Sequence, residues 1–156
     1  MGDRFGSAAC LGRRAYTALE KYAVNVPMRA LIDLGLAPDA FALIETTGRR
    51  SGQPRRTPVG NGLIDDTFWA IAERGLRGDY VRNLLADPRV RVKAGGQWRT
   101  GTAEVLPDDD VRARVQTVLA ARPGLARRID AKLLDLSAAA HGTKPVTIRI
   151  DLDPKP

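Results

Sequence analysis

The stretch of this sequence best equipped for chemistry is Gly48-Arg49-Arg50-Ser51-Gly52-Gln53-Pro54-Arg55. With Arg56 it sets four arginines within eight residues, and no acid stands among them. Guanidinium groups make two-pronged hydrogen bonds to phosphates and carboxylates. The two glycines permit tight or positive-φ backbone, which can aim successive N–H groups at one anion. Two readings fit such a turn: an anion site, or a solvated hairpin turn whose charges keep a sheet edge from aggregating. A nucleotide P-loop is excluded, because neither the Gly-Lys-Ser/Thr ending nor a following helix is present. If Arg55 opens a strand, Arg55 and Arg56 point to opposite faces and cannot serve the same site.

A second group is Glu73-Arg74-Gly75 followed by Gly78-Asp79-Tyr80. Arg74 offers a further cation, and the start of a helix offers N–H donors to an anion. An ordinary strand-to-helix loop fits the same residues. Tyr80, beside this loop, is the aromatic best placed to stack on a flat ligand, whereas Trp69 and Trp98 fall in strand patterns that usually belong to a core. His141 is the single histidine and Cys10 the single cysteine, which gives no metal-ligand spacing and no nucleophilic triad, so no metal is expected. Asp108-Asp109-Asp110 reads as the acidic start of a helix. No paired carboxylates, nucleophile elbow or deaminase signature occurs, and no catalytic side chain is assigned. An enzyme built on this chain would place its hard chemistry on a cofactor.

The elements that must position these residues follow from hydrophobic periodicity. Residues 11–36 have helical spacing, with Pro27 separating two short helices, and form an N-terminal helical segment over 1–38. From Phe41 the period becomes that of strands: 41–47, then 55–64 bent near Pro58 and Gly60 or Gly62, then 67–72. Asp79 caps a helix over 80–86 with Val81, Leu84 and Leu85 on its apolar side. A glycine-turn hairpin joins 90–94 to 97–106, a helix begins after Pro107, another spans about 125–139, and 146–150 closes the series. This order predicts an α+β single domain over 1–156: a split β-barrel of about six mostly antiparallel strands with flanking helices. Residues 40–106 would supply the barrel strands around the basic turn, and 107–152 the C-terminal helices and closing strand.

Composition bounds the partners. The 156 residues are 44% hydrophobic and 28% charged, without a run approaching the roughly 20 apolar residues that cross a bilayer. One cysteine and no secretory signal make a reducing, cytoplasmic setting the expectation. A net charge of +7 suits nucleic acid, an anionic membrane or a small polyanion. Nucleic acid ranks last, because single-strand binding needs aromatics interleaved on an exposed face and the chain has only three Phe, two Trp and three Tyr.

The string Thr46-Thr47-Gly48-Arg49-Arg50-Ser51-Gly52-Gln53-Pro54-Arg55, with Thr57-Pro58, Tyr80-Val81-Arg82-Asn83-Leu84 and Asp87-Pro88-Arg89-Val90, closely resembles the signature of the actinobacterial deazaflavin-dependent nitroreductase family, which includes quinone reductases. The resemblance covers residues 40–106 well and the flanks mainly in layout. It implies a split barrel like that of FMN-binding proteins. It implies coenzyme F-420, an 8-hydroxy-5-deazaflavin, as cofactor, with FMN as the alternative. The implied cofactor contacts are Arg49, Arg50, Ser51, Gly52, Gln53, Arg55, Pro58, Arg74 and Tyr80, with backbone donors from Ser51 and Gly52. It implies hydride transfer to a lipophilic or aromatic acceptor that is quinone-like, nitro-bearing or an activated alkene. Arg74 stands where a lysine is common and Tyr80 where a tryptophan is frequent, and the 125–139 helix lacks the tyrosines that line the family's substrate pocket. The alternative function is a non-catalytic carrier of a cofactor, lipid or tetrapyrrole on the same barrel. Either form would act as a monomer or homodimer, with peripheral membrane contact through the N-terminal helices as an option.

Overall fold

The structure, a computed structural model, describes residues 29–31, 34, 39–121 and 142–155. Of the helices expected over 11–36, residues 29–31 are described and helical; the rest apart from Leu34, and the helix expected over 125–139, lie outside the described residues.

Seven strands form one antiparallel sheet: β1 (Phe41–Thr47), β2 (Pro54–Gly60), β3 (Leu63–Ile64), β4 (Thr67–Ala72), β5 (Arg89–Ala94), β6 (Gln97–Leu106) and β7 (Val146–Leu152). Helix α1 (Asp79–Ala86) lies between β4 and β5, and α2 (Val111–Ala121) follows β6. The strand order is β2-β1-β5-β6-β7-β4-β3, and the sheet curls until β2 approaches β4. This is the mostly antiparallel split-barrel arrangement that the strand pattern predicted, with seven strands in place of about six. The extra one arises because Asn61-Gly62 interrupt the second run. The Asn61 side chain donates to the Asp39 carbonyl at 2.8 Å and accepts from the Leu63 N–H at 3.2 Å, so its strand hydrogen bonding ends there.

Alternation along the strands separates two faces. The inner face carries Ala42 and Ile44 of β1, Phe68 and Ala70 of β4, Val90 and Val92 of β5, and Ile148 and Ile150 of β7, which form one buried cluster. Helix α1 closes this face with Val81 and Leu84, packing on β1 and β6. Leu85, expected on that apolar side, is 61% exposed, because the helix turns it away from the sheet while Asn83 is buried beside Leu84. The N-cap of α1 is Gly78, not Asp79. Asp79 is the first helical residue, still near the positive end of the dipole. At α2 the acidic start is borne out: Asp110 accepts the Ala113 N–H on its carboxylate at 3.1 Å.

The outer face is polar near β1 and β5. It bears Glu45, Arg56, Arg91, Lys93 and Trp98, and α2 covers it further along, over β3, β4 and β7. Neither tryptophan lies in the core. Trp98 has Arg91 at 4.8 Å and Arg56 at 5.1 Å from its ring centre, and Trp69 is covered by Arg114 at 3.8 Å. Both occupy outward positions, so cations rather than aliphatic side chains flank them.

Candidate functional site

The basic turn Gly48–Gln53 closes the β1–β2 hairpin, with Thr46 opposite Arg55 and Thr47 opposite Pro54. The Gly48 N–H donates to the Gln53 carbonyl at 2.8 Å, and the Gly52 N–H donates to the Gly48 carbonyl at 2.7 Å. Gly52 has φ +66°, which a side chain would strain. A Cβ on Gly48 would meet Ser51 Oγ at 2.7 Å and the Gln53 carbonyl at 3.1 Å. The Ser51 hydroxyl accepts from the Gln53 N–H at 3.3 Å and from the Arg55 guanidinium at 3.4 Å, an exposed and weak contact. The turn is therefore compact, and its shape depends on these glycines.

These bonds change the inventory of donors. The Gly52 N–H is consumed inside the turn, as is that of Gln53, so neither is available to an anion. Arg49 uses its N–H on the Asn83 carboxamide oxygen at 3.2 Å. The N–H groups of Arg50 and Ser51 have no acceptor among the described residues. Successive free N–H groups on an exposed, glycine-shaped turn form an anion-binding concavity.

The arginines divide in the same way. Arg56 lies on the outer face with Glu45, at 2.8 Å, while Arg55 lies on the inner side opposite Thr46, so alternation separates them as expected. Arg49 reaches α1: its Nη1 donates to the Asn83 oxygen at 3.1 Å and its Nη2 approaches Asp79 at 3.4 Å. The Arg50 side chain forms no hydrogen bond or ion pair with the described residues, and the same holds for the side chains of Arg74, Arg77 and Arg82. Arg74 precedes the short 3-10 turn Gly75–Arg77 that runs into α1 and Arg77 ends it, so both stand on the segment just before Asp79. Four unpaired cations thus surround or precede the helix to which the turn is tied.

Tyr80 is partly buried against the core cluster. Burial, reinforced by the charge of Glu73, pushes its phenol above the ordinary value of 10.0. It keeps its proton at neutral pH and can donate a hydrogen bond but not act as a base. Pro58 stands opposite Leu43, on the face that carries Arg56, away from Arg55. The turn is tied to α1, which carries Tyr80 and which Arg74 precedes in the chain, and Arg55 touches the turn at Ser51, whereas Pro58 is on the other face.

On the outer side of the turn a shallow open cleft of about 200 Å³ is lined by Thr47, Gly52, Pro54, Arg89, Arg91 and Thr100 among others. Its cations already have acids: Arg91 holds Glu45 at 2.9 Å and Arg89 holds Asp153 at 3.0 Å. The cleft therefore offers less free positive charge than the turn, the segment before α1 and α1 itself, which carry Arg50, Arg74, Arg77 and Arg82. Among the described residues no group of three or more His, Cys, Asp or Glu could hold a metal ion. No helix among them is long and apolar enough to cross a membrane.

Asn83 is the site residue that sequence reasoning missed. A signal existed: it is polar but shares the buried side of α1 with Leu84 and is 4% exposed. A buried amide demands partners. Which partners it finds depends on a hairpin 34 residues earlier.

A family model described as F420H(2)-dependent quinone reductase matches residues 29–133. No curated protein matches the chain. Among solved structures, an F420-H2 dependent reductase (FDR-A) is 19% identical with a TM-score of 0.50, covering 71% of this chain and 93% of its own. A structure described as a domain-swapped dimer is 17% identical with a TM-score of 0.53, covering 78% and 92%. The heme storage protein HutZ from Vibrio cholerae is 10% identical with a TM-score of 0.52, covering 83% and 90%. At such identities these structures speak for the fold alone.

Proposed function

Since this chain belongs to the F420H(2)-dependent quinone reductase family, we propose that it is a reductase that binds coenzyme F-420 through the basic turn and serves a quinone-like, nitro-bearing or activated-alkene acceptor. The observation that carries this reading is the pair of free N–H groups at Arg50 and Ser51 beside an unpaired Arg50 side chain. A deazaflavin cofactor carries a phosphate and carboxylates in its tail, and the donor set fits such a group in kind. Unpaired guanidiniums and free amides offer charge-assisted hydrogen bonds and no competing acid.

When bound, the reduced deazaflavin supplies a hydride to an electrophilic acceptor. The protein's part is to hold and orient. Arg50, Arg55 and Arg74 would take the negative charges, the Arg50 and Ser51 amides would take the phosphate oxygens, and Gly52 and Gln53 would keep the turn in shape. Tyr80, protonated and set in the first turn of α1, would border the ring end. Orientation of this kind supplies much of the rate in a hydride transfer, since the reactive atoms must meet at a defined distance and angle.

The test is a fluorescence titration of the purified protein with oxidised coenzyme F-420 beside FMN, followed by steady-state oxidation of the reduced cofactor with a quinone. Saturable binding that prefers the deazaflavin, weakened about tenfold or more by Arg50→Ala, is expected; loss of a charged hydrogen bond is worth roughly that much. Binding without turnover of any acceptor would indicate a carrier. A preference for FMN would overturn the cofactor assignment.

A further inference from the structure

The bonds of Arg49 set it apart from the other arginines of the turn. Its backbone N–H and its Nη1 converge on one atom, the Oδ1 of Asn83, at 3.2 and 3.1 Å. The Nδ2 of Asn83 donates in the other direction to Thr46 Oγ1 at 3.1 Å, a buried bond. This pattern fixes the amide orientation, because a flipped amide would set its NH2 against two donors. One buried side chain therefore ties together the turn, the last part of β1 and the helix α1. Thr46 is in turn opposite Arg55 in the hairpin, so the base of the turn is held in the same network.

We propose that Asn83 is a positioning residue for the anion-binding turn, and that Arg49 is its latch rather than a ligand of the cofactor. This inference rests on the functional reading above and refines it. An exposed six-residue turn with a glycine at φ +66° would otherwise sample many conformations, and ordering it would weaken binding. The latch leaves the Arg50 side chain and the Arg50 and Ser51 amides as the groups presented to an anion, already arranged before it arrives. The contact between Arg49 and Asp79 adds little, because at 3.4 Å, with the Asp79 side chain 63% exposed, it is weak and screened.

The experiment compares Asn83→Leu, Asn83→Asp and Arg50→Ala with the unaltered protein, using two readouts. The first is hydrogen exchange of the turn amides without cofactor. The second is the affinity for oxidised coenzyme F-420 across a range of salt. In Asn83→Leu the hydrogen-bonded amides of Gly48, Arg49, Gly52 and Gln53 are expected to exchange faster while those of β5 and β6 stay protected. Affinity should fall about tenfold or more with its salt dependence unchanged, since no charge was removed. Arg50→Ala should weaken binding and also flatten the salt dependence. Asn83→Asp keeps an acceptor for Arg49 and can accept from the Thr46 hydroxyl, so it should stay within about threefold of the original.

Should Asn83→Leu fail to fold, Arg49→Met removes the side-chain bond of the same link, leaving the backbone one, and must loosen the turn amides in the same direction. In a folded set, Arg49→Met with Asn83→Leu should lose no more than the worse single change, as coupled partners do. Unchanged turn exchange in these variants, or an Asn83→Leu affinity equal to the original, would overturn the latch. So would an Arg49→Met variant that flattens the salt dependence as Arg50→Ala does. Absence of cofactor binding by the unaltered protein would sink the functional reading, and the exchange data would still decide the latch.

Discussion

Glu45 shows how far one residue's role depends on neighbours across strands. Its side chain is 9% exposed and lies between Arg56 of β2 and Arg91 of β5, at 2.8 and 2.9 Å. Burial alone would raise its carboxyl pKa, but hydrogen bonds from Arg56 and Arg91, with their charges, outweigh burial and hold it below 4.5. A carboxyl depressed in the folded state contributes stability that is fully present above the unfolded value and is lost as pH falls through the folded one. Glu45→Gln should therefore lower stability at neutral pH by about 1–2 kcal/mol. That is less than the rupture of a wholly buried pair, because Arg56 and Arg91 are 37% and 46% exposed and regain water. In urea titrations the gap between the two proteins should close as pH drops below 4.5. A gap that persists in acid would mean the carboxylate charge is not what stabilises this face. Nothing in the sequence indicates that Arg56 belongs to this cluster instead of the basic turn, beyond the alternation that separates it from Arg55. The pairing with Arg91, 46 positions away, appears only once register is known.

Elements were more legible than single contacts, because periodicity is local while pairing is not. The strands at 41–47, 67–72 and 97–106 and the helix starting after Asp110 were all readable from alternation and from acids at a helix start. The misplacement of Leu85 on the buried side has a plain cause: an eight-residue helix fixes its own phase poorly, and Asn83 took the buried place. Helix α2 tests the cap directly. Asp110 accepts from the Ala113 N–H and its carbonyl accepts from Arg114, so Asp110→Ala should destabilise the fold by about 1 kcal/mol in chemical denaturation. Asp108→Ala, with no such bond among the described residues, should change stability by less than about 0.5 kcal/mol. Equal losses would remove the cap as the explanation. In the hairpin, Gly52→Ala meets open space but must hold φ +66°, which costs about 1 kcal/mol. A cofactor affinity reduced by more than the stability change would place that strain in the binding turn itself.

At the scale of the molecule, a curled antiparallel sheet gives the basic hairpin a rigid base and a helix to lean on, while leaving its tip in solvent. The fold class was legible because helices do not alternate with strands in the sequence. The closure of β2 toward β4 and the latch through α1 were not, since both join segments that only the sheet brings together. The chain carries +7 at pH 7, and Arg50, Arg74, Arg77 and Arg82, whose side chains have no partner among the described residues, stand on the turn, on the segment leading into α1 and on α1 itself. A polyanionic cofactor therefore meets an attractive field before it touches the protein, and long-range attraction acts on the rate of encounter more than on the rate of escape. Stopped-flow binding of oxidised coenzyme F-420 should show an association rate constant that falls about tenfold between low salt and ~0.5 M salt, where the screening length shrinks to a few ångströms. Dissociation should change much less, because the proposed bonds to the Arg50 and Ser51 amides would be made at contact distance and poorly screened. Reversing a charge on α2, across the sheet from α1, as in Arg112→Glu, should lower association only slightly, whereas Arg74→Glu should lower it severalfold. If both variants slow association equally, net charge alone steers the ligand, and the local gathering of unpaired arginines has no part in capture.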